Sequence, residues 1–191
     1  MNRLVLAVAV IVSGSLVLAG AAAFGHGGDN GRRTFSAKRN GYNEVTSKST
    51  PARGVFRARI RDGGSRIHYK LRYEGFTEPG AMANVAHIHF SQEHVNGAVI
   101  AFLCGGGGKP DCPNPGGTVE GDIVAADIMA QSPDQGIAAG EIAELIRAMR
   151  HGAAYVNVHT TRFPGGEIRG QVGKRGQDDG GGDDNNSGGR G

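Results

Sequence analysis

The sequence predicts a mainly β fold, an antiparallel sandwich or barrel with one helical crossover. Three observations carry this prediction: apolar residues that alternate with period two in one run after another, glycine-rich turns between those runs, and a single stretch with helical spacing.

Taken in order, the strands begin with 33–38. The run Gly54 to Arg61 follows, where Phe56, Ala58 and Ile60 alternate with Arg57, Arg59 and Arg61. That is the pattern of a strand with one face buried. Arg66 to Tyr73 obeys the same rule, with Ile67, Tyr69, Leu71 and Tyr73 on one face and Arg66, His68, Lys70 and Arg72 on the other. Between the two runs, Asp62-Gly63-Gly64-Ser65 has the composition of a hairpin turn. Further strands are predicted at 85–90, 99–103, 118–124, 155–159 and 167–172. The helix is predicted over 137–149, where Ile142, Leu145, Ile146 and Met149 recur at helical spacing and His151-Gly152 provides a stop.

The ends of the chain are of a different character. Arg3, the apolar run Leu4 to Leu18 and the small residues Ala19 to Ala23 form a secretory signal pattern over residues 1–23, with cleavage expected after Ala21 or Ala23. The apolar run is shorter than the roughly 20 residues of a spanning helix, so no membrane span is expected in the mature chain. Residues 24–33 are read as a linker, and 173–191, rich in Gly, Asp and Asn and without an aliphatic side chain, as a disordered tail. One domain, 34–172, remains. Secretion implies an oxidising compartment, where Cys104 and Cys112, flanking a Gly-rich loop, are expected to form a disulfide. A Cys-ligated metal would call for further cysteines or a His pair at finger spacing.

A net charge of +3 gives no case for nucleic acid, and Tyr69 and Tyr73 fall on the apolar face rather than among the basic residues. No nucleophile elbow or phosphate-binding loop occurs, so catalysis is not expected. The basic face formed by Arg57, Arg59, Arg61, Arg66, Lys70 and Arg72 suits an extracellular protein or an acidic polysaccharide as partner.

Four segments lie in a telling order: Phe35-Ser-Ala-Lys-Arg-Asn-Gly-Tyr-Asn-Glu-Val45, Ala86-His-Ile-His89 with Asn96-Gly97, the helix ending at His151-Gly152, and Tyr155-Val-Asn-Val-His-Thr-Thr-Arg-Phe-Pro-Gly-Gly-Glu-Ile-Arg-Gly-Gln171. Together they resemble the CHRD domain, the module repeated in chordin and found singly in exported microbial proteins. Thr46 stands where that family usually has proline. The resemblance implies a secreted binding or scaffold module.

Within these segments, His87 and His89 share one face of a strand. Tyr155, Asn157 and His159 share one face of another, so a third imidazole joins the pair if the two strands are neighbours. Three histidines would suit zinc or copper and would make the chain a metal-binding or superoxide-dismutase-like redox protein, an analogy with the superoxide dismutase and immunoglobulin β-sandwiches rather than a match. His94 is a weaker candidate for a fourth ligand. The competing expectation is a structural hydrogen-bond network of the imidazoles with Asn157, Glu167 and Arg169 that fixes strand register. His26, His68 and His151 are expected to be solvated.

Overall fold

The computed structural model describes residues 31–76, 81–130 and 135–174. The segment 1–23, read from sequence as a signal peptide, and most of the proposed tail lie outside the described residues. The strands are β1 (Thr34–Asn40), β2 (Arg53–Arg61), β3 (Arg66–Glu74), β4 (Ala83–Phe90), β5 (Ala98–Cys104), β6 (Gly117–Val124), β7 (Ala154–Thr160), β8 (Ile168–Gln171) and the short β9 (Gly173–Lys174). Eight of them form one antiparallel sheet in the order β5-β4-β7-β8-β1-β2-β3-β6, and β9 pairs with β1. The sheet is nearly closed and barrel-like. Of the two predicted layouts, the structure is therefore the barrel, and superoxide dismutases and immunoglobulins are loose analogues.

The hairpin of β2 and β3 shows how sequence becomes structure here. Arg61 faces Arg66 across the turn, and Asp62, Gly63 and Gly64 all adopt positive φ, which glycine tolerates best. Phe56, Ile67, Tyr69, Leu71 and Tyr73 enter the core with at most 1% of their surface exposed.

Closure of the barrel depends on groups that bridge its edge strands. Tyr69 on β3 donates its hydroxyl hydrogen to the Leu103 carbonyl on β5 at 2.7 Å, and Tyr73 donates to the Pro113 carbonyl at 2.7 Å. The Cys104–Cys112 disulfide ties the end of β5 to the loop leading to β6. From the same loop, Lys109 reaches the Asp122 carbonyl and the Asp127 carboxylate.

One helix, α1 (Ile142–Arg150), lies in the crossover from β6 to β7. It buries Ile142, Leu145, Ile146 and Met149 as its spacing predicts, but starts five residues later than expected. Gly140 has φ 86°, which breaks the helical path, and Ile137 enters the core ahead of it.

Inside the barrel, Arg39 follows Phe35 and Ala37 on the inward face of β1. It faces Gly54 on β2 and lies against Gly170 on β8, two positions without side chains, and its guanidinium is 5.7 Å from the centre of the Phe56 ring. Among the described residues no group hydrogen-bonds its guanidinium nitrogens, and burial lowers its pKa to about 9.

Candidate functional site

The candidate site lies on the outer face of β4, β7 and β8. Ile88, Val156, Val158 and Ile168 belong to the core, so their strand neighbours point the other way. Across the β4–β7 pair, His87 faces Asn157, His89 faces Tyr155 and Val85 faces His159. His159 is thus diagonal to His87. Irregular pairing of β4 with β5 on either side of His87 and Ile88 adjusts the direction of the two imidazoles.

The result is a tight three-histidine cluster. The ring centre of His87 is 4.5 Å from that of His89 and 4.6 Å from that of His159. One nitrogen from each ring lies within 4.8 Å of the other two. Ligands around one zinc ion at about 2 Å would be roughly 3–4 Å apart, so small ring rotations close the set. His94 does not take part, because its side chain is 71% exposed and faces Glu93.

Loop carbonyls set the tautomers. His89 Nδ1 lies 2.8 Å from the Gly97 oxygen, and His159 Nδ1 lies 2.7 Å from the Pro164 oxygen. A carbonyl only accepts, so both Nδ1 atoms carry hydrogen and both Nε2 atoms present lone pairs. Asn157 Oδ1 is placed 3.1 Å from His89 Nε2; with the ring hydrogen on Nδ1, the complementary arrangement is the flipped amide, which turns NH₂ to that nitrogen until a metal takes the lone pair. His87 Nδ1 and His159 Nε2 are buried without hydrogen-bond partners among the described residues.

Burial, reinforced by repulsion from the other two rings, pushes the His87 imidazole down to about 3. His89 is pushed down to about 4, again mainly by burial, and burial also lowers His159. All three are neutral at neutral pH, the state in which imidazole binds metal.

The surroundings are aromatic and cationic. Tyr155 stacks on His89 at 4.5 Å with the planes 3° apart, and the Arg169 guanidinium lies 3.4 Å from the centre of the Tyr155 ring. Phe102 meets His87 edge-on at 5.5 Å. Arg169 also donates to Asn96 Oδ1 at 2.9 Å and to the Val95 carbonyl at 2.6 Å, which holds the loop over the site.

Of the polar residues singled out from sequence, Asn157 lies among the imidazoles and Arg169 lies behind Tyr155. Glu167 is placed elsewhere: Thr50 and Thr160 donate to its two oxygens, each at 2.6 Å. Sequence reasoning missed Glu44, whose carboxyl is buried close to Gly166 and raised to about 7 by desolvation. Its place in the Asn-Glu-Val segment was the available signal.

The basic face also differs from its sequence outline. Strand β6 sets Glu120 opposite Lys70 and Asp122 opposite His68. Lys70 then pairs with Glu120, Arg66 with Asp62 and Asp122, and Arg72 with Glu74. His68, expected to be solvated, bonds both Glu120 and Asp122 at 3.0 Å. Arg57, Arg59 and Arg61 remain exposed on β2.

Among the described residues, no helix is long and apolar enough to cross a membrane. The family model of the CHRD domain matches residues 35–172. No curated protein and no solved structure matches the chain.

Proposed function

The chain belongs to the CHRD domain family, and from that premise we propose that it is an exported, non-catalytic binding module in which His87, His89 and His159 hold one zinc or copper ion. One observation carries the metal reading: the three imidazoles bring one nitrogen each within 4.8 Å of the others, and two nitrogens of the cluster, His87 Nδ1 and His159 Nε2, are buried with no hydrogen-bond partner among the described residues. A network serving structure alone would bond such atoms, because an unsatisfied buried polar group costs about 1–3 kcal/mol. Donation of the opposite ring hydrogen to a backbone carbonyl, as His89 and His159 do, is the usual way a protein orients imidazole ligands.

The test is metal analysis of the purified chain after loading with zinc or copper, beside His89→Ala. The expected result is one ion per chain, lost in the variant. A parent chain without stoichiometric metal after loading would remove the metal reading.

Export is supported by the N-terminal pattern and by the disulfide, which persists in oxidising compartments. N-terminal sequencing of material recovered outside the cytoplasm should begin just after Ala21 or Ala23. Recovery only inside cells with Met1 intact would contradict export. For the partner, the free cations of β2 suit an acidic polysaccharide.

A further inference from the structure

The charge around the three imidazoles restricts which ion they select. Among the described residues the cluster contains no carboxylate or thiolate. Three neutral ligands leave the full charge of a bound ion uncompensated in a buried site. The penalty for burying charge grows roughly with its square, so a divalent ion is several times costlier there than a monovalent one.

The nearby groups add to this bias. Arg169 stands behind the Tyr155 ring that stacks on His89, and its field reaches that imidazole. Glu44 and Glu93 act on Arg169 and temper its field, while both Glu167 oxygens are engaged by threonine hydroxyls. Coordination number points the same way. Three imidazoles alone complete a Cu(I) site, whereas Zn(II) would need a water as its fourth ligand in this buried, aromatic-walled setting, since His94 is too exposed to serve.

We infer that the His87–His89–His159 site is a cuprous site that takes Cu(I) in preference to Zn(II). This rests on the metal reading above and goes further by naming the ion. The Phe102 and Tyr155 rings supply the apolar walls that a soft, weakly hydrated cation tolerates better than a hard one.

The experiment uses the full chain, metal-free and anaerobic, with ascorbate present because it keeps copper reduced and leaves disulfides intact. Cu(I) is titrated against bicinchoninate, and Zn(II) against a zinc chelator. One Cu(I) per chain is expected, bound at least a hundredfold more tightly than Zn(II). Arg169→Gln should narrow that ratio roughly tenfold, whereas Arg169→Lys, which keeps the charge, should preserve most of it. Zinc bound as tightly as Cu(I) by the parent chain overturns the cuprous preference and leaves the metal reading standing. Failure of both ions to bind overturns both.

Discussion

Lowering the pH should destabilise the metal-free protein through His87 and His89. Both are neutral in the folded chain, with pKa values of about 3 and 4, against an ordinary 6.5. As pH falls through 6.5, the unfolded chain takes up protons that the folded chain refuses, so stability present above pH 7 is lost progressively. The loss ends near pH 3–4, where the folded imidazoles also become charged. Between pH 7 and pH 5 each group costs about 2 kcal/mol, and the pair about 4 kcal/mol. Glu44 works in the opposite sense: its carboxyl, raised to about 7, takes up a proton in the folded state first and adds stability over the same interval. The comparison must therefore be with His87→Gln/His89→Gln, which retains Glu44. Urea unfolding at pH 7, 6 and 5 in the presence of chelator gives the two slopes. The parent should lose about 4 kcal/mol more than the double variant. Parallel slopes would refute the claim that these imidazoles are buried in the neutral form.

Other perturbations probe closure of the barrel and the basic face. Replacing Cys104 and Cys112 together by serine should cost about 2–3 kcal/mol in urea unfolding, as expected for the short loop they close; an unchanged midpoint would contradict a stabilising role. Tyr69→Phe leaves the Leu103 carbonyl without its donor and should cost about 1–3 kcal/mol, while metal stoichiometry stays the same. Substituting Arg57, Arg59 and Arg61 by serine should abolish retention on a sulfated-polysaccharide column and change stability by only about 1 kcal/mol. Retention equal to the parent's would remove the polysaccharide proposal.

The parts of the fold legible in the sequence were those with contrasting faces. Strands β2 and β3 have one face in water, so Phe56 to Ile60 and Ile67 to Tyr73 alternate cleanly with charged residues. Strand β4 is buried on both sides from Ala86 to His89, and there the alternation of polarity disappears; the two histidines were conspicuous but their environment was not. Non-local pairing was the other hidden quantity. Whether β7 lies beside β4, and hence whether His159 reaches His87, depends on a crossover through α1 that local pattern does not encode. The same gap concealed Glu120 and Asp122, whose register on β6 neutralises part of the basic face. Arg39 is a different case. The predicted strand ended at Lys38, so Arg39 was not read as an inward residue; its place beside Phe35 and Ala37 depends on two flanking glycines that become neighbours only in the folded sheet.

Three neutral imidazoles, each with a ring nitrogen near the other two, are the arrangement on which metal binding depends, and nitrogen-15 NMR of the metal-free protein observes their protonation directly. At pH 7, His89 and His159 should both appear as neutral rings with the proton on Nδ1, and His87 as a neutral ring. Imidazolium signals, or protons on the Nε2 atoms of His89 and His159, would contradict it.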